Sequence, residues 1–235
     1  MSRGILSVYW GDESKLPIER LKASVKKFHP DLPHELVKVD TPLSGASSLN
    51  IKASMFDLSP FEETLYLDID TVVMSDIGFG FDKVKLHGLC IAICECPWAR
   101  RYPKIFNGDQ IEYNTGVIFF SKKSRAVFER WKALSISVDS SIVGVSNKLD
   151  CEFTGTPIGE IYKMSANDQG SFALAIEETN FNPYVLPLNW NFRPPWHHNF
   201  YGPIKIWHSY VDPPNFLSEL SDYYQNSDAI IQHHF

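Results

Sequence analysis

Two carboxylates one residue apart, Asp68 and Asp70, follow an apolar run in Thr64-Leu65-Tyr66-Leu67-Asp68-Ile69-Asp70-Thr71-Val72-Val73. Like charges so close repel unless a cation lies between them. A divalent ion is the natural candidate, because Mg²⁺ and Mn²⁺ take oxygen ligands and carboxylates neutralise them. The residues before the pair favour β-structure, so the run reads as a buried strand that ends at a site. Alternation along such a strand would send both carboxylates to one side. A solvated acidic pair at a strand end is the bland alternative, and the apolar run is too strong for a surface turn. The pair alone does not name the chemistry, since at least two unrelated enzyme classes use it.

Other residues that could do chemistry lie at element ends. Gly4 to Trp10 reads as a first strand that runs into the turn Gly11-Asp12-Glu13-Ser14. Ile18, Leu21, Val25 and Phe28 then recur at helical spacing, and Glu35 to Val39 reads as a second strand. Strand, helix and strand at this spacing open a parallel sheet with crossover helices, and ligands of such sheets bind beyond the carboxyl ends of the strands. Tyr9, Trp10, Gly11 and Asp12 sit at such an end. After a small-residue loop (44–48), a helix from about Leu49 to Leu58 carries Lys52, which alone would read as a solvated lysine.

The carboxylate strand follows, then a polar, Gly-rich connection over 75–86 and an apolar strand over 89–94. The stretch 97–113 is irregular and rich in aromatic and polar groups, a length of loop that often carries function. Tyr113-Asn114-Thr115-Gly116-Val117 opens another strong strand, with a glycine where backbone can approach a ligand closely. A helix over 124–134 comes next, and 135–164 carries no clear pattern. Asn167-Asp168-Gln169-Gly170 starts a helix; the Asn-Asp pair could be only its cap. Tyr184 to Leu188 reads as a short strand, and Ile204 to Trp207 as a last one that delivers His208.

Composition narrows the function classes. The 235 residues carry a formal charge of -6 and a pI near 5.7, which argues against a nucleic-acid binder. A hydrophobic content of 44% and an aromatic content of 14% suffice for a packed core. Cys90, Cys94 and Cys96 crowd one apolar segment and read as reduced, buried thiols. A Cys-x-Cys zinc half-site lacks a second pair at ligand spacing. Nothing at the N-terminus reads as a signal peptide, and no apolar run is long enough for a transmembrane segment. The expectation is a soluble, cytoplasmic protein, or a soluble module of a longer one.

Two enzyme readings meet these residues. Tyr66-Leu67-Asp68-Ile69-Asp70-Thr71-Val72 resembles the nucleophile strand of the haloacid-dehalogenase superfamily, in which Asp68 would attack phosphorus and Asp70 would serve as acid and base. That reading wants the strand near the start of the catalytic core and a late acidic pair to complete a Mg²⁺ site. Here a strand-helix-strand-helix segment precedes the motif, and the chain has no Asp-Asp dipeptide.

More residues fit the other reading. The order of features resembles a nucleotide-sugar glycosyltransferase of the GT-A fold, nearest to glycosyltransferase family 8, the glycogenin and galactosyltransferase group. The resemblance runs from about Ile5 to Tyr210 on short motifs: Val8-Tyr9-Trp10-Gly11-Asp12, Lys52, Leu67-Asp68-Ile69-Asp70, Asn114-Thr115-Gly116-Val117, Asp168-Gln169 and Ile204-Lys205-Ile206-Trp207-His208. It implies an α/β, Rossmann-like domain over 1–235, with a mostly parallel central sheet flanked by helices. It implies that Tyr9, Trp10, Gly11, Asp12, Lys52, Asp68, Asn114, Thr115 and Gly116 bind the donor, a UDP-sugar by family habit.

Asp68, Asp70 and His208 would hold the metal, and the imidazole tilts the preference to Mn²⁺ over Mg²⁺. Asp168 would hydrogen-bond sugar hydroxyls, with Gln169 near the anomeric carbon. The implied activity is hexosyl transfer with retention, to a glycan or protein acceptor. One departure stands out. The family follows its histidine with Gly and Lys-Pro-Trp, whose lysine binds the diphosphate, whereas His208 is followed by Ser209-Tyr210-Val211-Asp212. Positive charge must then come from Lys52, Arg193 or Lys205. An inverting relative would need a carboxylate base, for which Asp109 and Asp168 are the candidates. A third reading is a nucleotide-sugar-binding domain without turnover.

Overall fold

The strand β1 (Arg3–Tyr9) is buried along nearly its whole length, and its alternating residues face two different hydrophobic layers. The computed structural model describes residues 2–42, 45–94, 111–137, 149–150, 157–159, 168–194, 197, 199–217 and 232–234. After α1 (Ile18–Phe28) comes β2 (His34–Lys38), and after α2 (Gly45–Ala53) and α3 (Met55–Leu58) comes β3 (Glu63–Leu67). The short β4 (Thr71–Val73), α4 (Gly78–His87) and β5 (Leu89–Ile93) follow, then β6 (Tyr113–Ser121) and α5 (Arg125–Ser137). A two-stranded ribbon pairs β7 (Leu149–Asp150) with β8 (Pro157–Gly159). The chain continues through α6 (Asp168–Glu178), β9 (Tyr184–Leu186), β10 (Asn199–Tyr201), β11 (Ile206–His208) and β12 (Gln232–His234).

Among the described residues, six strands form the central sheet in the order β2-β1-β3-β6-β5-β9. β1 pairs in parallel with β2 and β3, and β5 pairs in parallel with β9; only β6 is reversed, antiparallel to both β3 and β5. The sheet is therefore mostly parallel, as expected. The reversal matters for function. It brings the first residues of β6, Asn114 to Gly116, to the end of the sheet where β1 and β3 finish.

Helices cover both faces. Leu6, Tyr66, Ile118 and Phe120 pack toward Phe128 and Trp131 of α5 and Phe172 of α6. Ile5, Leu65, Leu67, Val117 and Phe119 pack toward Leu21 and Val25 of α1 and Phe81 and Val84 of α4. The period-two pattern of each strand thus feeds two cores at once, as a sheet buried on both sides requires. None of the described helices is long and apolar enough to cross a membrane.

Three expectations need correction. The connection over 75–86 is largely the helix α4. Its glycines lower helix propensity but serve packing: a β-carbon at Gly80 would lie 2.3 Å from the Phe119 ring. Gly88, at φ +82°, ends that helix in the left-handed conformation. Next, α2 begins at Gly45, inside the stretch expected as a small-residue loop, and the expected single helix breaks at Ser54 before α3. Last, β3 stops at Leu67, so the two carboxylates do not lie on a strand. The loop over 97–110, Asn167, Asp109, Trp196 and most of 138–164 lie outside the described residues.

Candidate active site

Asp68-Ile69-Asp70 is a turn between β3 and β4. Strand alternation is therefore not what aligns the carboxylates. The turn is closed by Thr71, whose backbone N–H and Oγ1 both donate to the Asp68 carbonyl, at 3.1 and 2.7 Å. The Asp68 N–H donates to the Gly116 carbonyl at 2.8 Å, which ties the turn to the start of β6.

β4 pairs antiparallel with β11, and in that register His208 lies opposite Thr71. The Ser209 N–H donates to the Asp70 carbonyl at 2.9 Å. The Arg20 guanidinium, from α1, donates to the carbonyls of Ser209 (2.6 Å) and Asp70 (3.3 Å), fastening the ribbon from behind. His208 Nε2 thereby lies 3.3 Å from Asp70 Oδ1 and 3.8 Å from Asp68 Oδ2.

One ligand atom from each of Asp68, Asp70 and His208 can be chosen with all three within 4.8 Å of one another. Two carboxylate oxygens and an imidazole nitrogen suit Mn²⁺ or Mg²⁺, so the residues present fit a divalent ion. Burial alone would raise the Asp70 carboxyl, but the hydrogen bond and charge of His208 outweigh it and hold it below the ordinary range. The carboxylate is thus kept in the ionised form, the one able to hold a cation.

Lys52 lies on the other side of Asp68. Its Nζ is 2.9 Å from Asp68 Oδ2 and 2.9 Å from Asp168 Oδ2. Burial would depress this lysine, yet the charges of Asp168 and Asp68 outweigh it and hold it well above the ordinary range. Asp168 is the first residue of α6 and also accepts a hydrogen bond from Thr115 Oγ1. Burial would raise its carboxyl, but Lys52 and Thr115 hold it below the usual range. Tyr66, absent from the sequence-based candidates, donates its phenol O–H to Asp68 Oδ1 at 2.9 Å.

Behind this surface lies a buried amide network. Asn114 Nδ2 donates to Gln169 Oε1 at 2.8 Å, and Cys94 Sγ lies 3.3 Å from the same oxygen. Asn191 Nδ2 donates to Asn114 Oδ1 at 2.7 Å, and Asn191 Oδ1 lies 2.8 Å from His208 Nδ1. Gln169 is 4% exposed, so it sits beneath Asp168 rather than beside it at the surface. Gly116 completes the packing, since a β-carbon there would lie 2.2 Å from His208 Cε1 and 2.8 Å from Asp68 Oδ2.

A cleft of about 230 Å³ opens in front of the carboxylates, with Tyr9, Trp10, Lys52, Asp68, Asp70 and Tyr210 among its walls. Gly11 and Asp12, which follow Trp10 in the chain, are not among the residues that line it. The Asp12 carboxylate accepts from Ser14 N–H and Oγ and caps a short 3-10 turn, and Gly11 takes φ +86°. Of the three cations considered as charge sources, Lys52 faces this cleft. Arg193 is buried with its guanidinium on Cys94 Sγ at 3.2 Å, and Lys205 Nζ lies 5.9 Å from the Trp190 ring centroid. Asn191, Tyr66, Arg20 and Tyr210 carry no local sequence signal; only their partners in space reveal them.

No family model matches the sequence, and no curated protein matches it. Solved structures do. Mouse xyloside xylosyltransferase 1 superposes with a TM-score of 0.54 at 14% identity, over 91% of this chain and 99% of that one. A glycosyltransferase involved in glycosylation of the major capsid of PBCV-1 gives 0.52 at 16% identity, over 95% and 100%. The chain has the GT-A fold. The galactosyltransferase LgtC, solved with donor and acceptor sugar analogues, gives 0.50 at 12% identity over 95% of this chain and 94% of that one. At such identities the GT-A likeness concerns the backbone path. What this chain does must be argued from its own residues.

Proposed function

We propose that the protein is a divalent-metal-dependent glycosyltransferase that moves a sugar from a nucleoside-diphosphate sugar, a UDP-sugar by preference, to a glycan or protein acceptor. The observation that carries the proposal is the Asp68, Asp70 and His208 group at the mouth of the cleft that Tyr9, Trp10 and Lys52 line. All of residues 1–235 serve this one unit. Mn²⁺ is the preferred ion because an imidazole joins two carboxylates. When bound, the ion supplies charge stabilisation to a departing diphosphate.

The chain's own residues do the rest. The rings of Tyr9 and Trp10 hold the nucleobase, and the Gly11-Asp12 turn shapes its approach. Lys52 is the cation nearest the diphosphate position, in the role that a lysine after His208 would otherwise take. Asp168, ionised and oriented by Thr115, accepts hydrogen bonds from sugar hydroxyls, and Gln169 and Asn114 brace that subsite from beneath. Asn114, Thr115 and Gly116 bring backbone close to the sugar and the metal ligands.

Retention of the anomeric configuration is the favoured outcome. Inversion needs a carboxylate free to take the acceptor's proton; of the two considered, Asp168 is held by Lys52 and Thr115 with its carboxyl below the usual range, and Asp109 lies outside the described residues. Hexoses suit a subsite built of carboxylate and amide groups.

A thermal-shift panel of nucleoside diphosphates and nucleotide sugars, each with and without Mn²⁺, tests the proposal. A transferase is stabilised by its donor only with the metal and slowly releases nucleoside diphosphate. Stabilisation without release would identify a binding domain. Hydrolysis of p-nitrophenyl phosphate would instead support the haloacid-dehalogenase reading, which the GT-A fold disfavours.

A further inference from the structure

The buried amides behind the site form a directional chain, and one end of it is fixed by the backbone. The Gly116 N–H donates to Asn114 Oδ1 at 3.1 Å. A backbone N–H can only donate, so the oxygen of the Asn114 amide must face it. The nitrogen then faces Gln169 Oε1 at 2.8 Å. Asn191 approaches the same Asn114 oxygen at 2.7 Å and must use its own nitrogen there. Its oxygen is left facing His208 Nδ1 at 2.8 Å.

An amide oxygen carries no proton, so the imidazole must supply one at Nδ1. Nε2 faces Asp70 Oδ1 at 3.3 Å and Asp68 Oδ2 at 3.8 Å, so without a metal it carries a proton toward these carboxylates; a cation held among the three would displace that proton and take the Nε2 lone pair, while Nδ1 keeps its own. A ring bare at Nδ1 would set two lone pairs against each other at Asn191. Turning Asn191 over would set two oxygens together at Asn114, and turning Asn114 over would set two donors together at Gly116. Asn191 is 2% exposed, so solvent is poorly placed to relieve any of these conflicts.

We propose that Asn191 is a positioning residue that orients the His208 ring and keeps a proton on its Nδ1, its own orientation dictated by the Gly116 N–H through Asn114. The inference rests on the metal-site reading only for its purpose; the Nδ1 proton follows from the hydrogen-bond chain. Metal-ligating histidines need a bare nitrogen, and the partner of the other nitrogen sets ring orientation and ligand strength. The same chain turns the Gln169 oxygen inward, so one backbone N–H orients both a metal ligand and a residue of the sugar subsite.

The test is ¹⁵N spectroscopy of histidine-labelled protein, metal-free and with diamagnetic Mg²⁺, with Mn²⁺ affinity measured separately. Wild-type His208 should carry a proton at Nδ1 in both states. Asn191→Leu should lose that proton in part and weaken Mn²⁺ binding by about 10–100-fold. Asn191→Asp keeps an acceptor at Nδ1 and should return the proton to that nitrogen. A wild-type ring bare at Nδ1, or an Asn191→Leu ring still wholly protonated at Nδ1, overturns the proposal. Should Asn191→Leu fail to fold, the wild-type and Asn191→Asp spectra decide it. A protonated Nδ1 in a protein that binds no divalent metal would support the inference and sink the metal-site reading instead.

Discussion

A β-carbon on Gly116 would fall 2.2 Å from His208 Cε1, so the glycine and the imidazole compete for one space. The same β-carbon would lie 2.8 Å from Asp68 Oδ2. Gly116→Ala must therefore push His208 or Asp68 out of place, while Val117 and the rest of β6 stay buried in the sheet. We expect a folded protein whose Mn²⁺ affinity falls by about tenfold or more, on the scale of lost ligand orientation. Calorimetric titration of Mn²⁺ alongside far-ultraviolet circular dichroism checks this. Unchanged affinity would remove His208 from the site.

Lys52 is the counter-charge of both Asp68 and Asp168. Lys52→Met keeps the length of the side chain and removes the charge, leaving two partly buried carboxylates to repel each other. Breaking such a pair from one side is costly, and partial exposure reduces the cost. We expect a loss of roughly 1–3 kcal/mol at neutral pH. Mn²⁺ should restore more stability to this variant than to the wild type, because the ion replaces a missing positive charge. Thermal unfolding with and without Mn²⁺ is the measurement, and equal metal responses in the two proteins would contradict the shared role.

The sheet and most of its helices were legible because their signals are local. The apolar runs at Ile5, Leu65, Ile91 and Val117 carry strand periodicity, and Leu21 and Val25 carry helical periodicity. α4 was hidden because its glycines fit against Phe119, a reason that only the packed state supplies. Asp68, Asp70, Lys52, Asp168 and His208 were singled out by motif order, and the structure brings them together. Their arrangement was not legible. The carboxylates meet His208 through a turn and a β4–β11 ribbon rather than along one strand. Asn191 escaped notice because an asparagine in Leu188-Asn189-Trp190-Asn191 has no spacing that announces a partner 17 residues away.

His34 gives a pH dependence that is separate from the site. Its Nε2 lies 3.1 Å from Ser7 Oγ, and its buried Nδ1 has no hydrogen-bond partner among the described residues. Burial, helped by the charge of Lys22, pushes the ring down from 6.5 to about 4. Between those values the unfolded chain binds a proton that the folded chain refuses, so this contribution is intact above about pH 6.5 and falls away as the pH drops toward 4. A gap of about 2.5 pH units at about 1.36 kcal/mol each makes the full loss about 3 kcal/mol. His34→Gln should flatten the stability curve across that window. Urea unfolding in chelator at several pH values checks it, and a slope equal to that of the wild type would rule out His34 as the source.

Asp70 separates metal chemistry from cleft binding. Its carboxylate faces His208 Nε2 at 3.3 Å, while its carbonyl is held by Ser209 N–H and Arg20. Asp70→Ala removes the ligand and leaves those backbone bonds, so the turn and the ribbon should persist. Asp70→Asn tests charge alone, since it keeps the shape. We expect both to lose Mn²⁺-dependent thermal stabilisation and to slow nucleoside-diphosphate release by about 10²–10³-fold, the usual cost of removing a group that stabilises developing charge. Excess chelator should bring the wild type to the same level and leave the variants unmoved. A wild type that turns over its donor at full rate in chelator would show that these carboxylates serve something other than a metal.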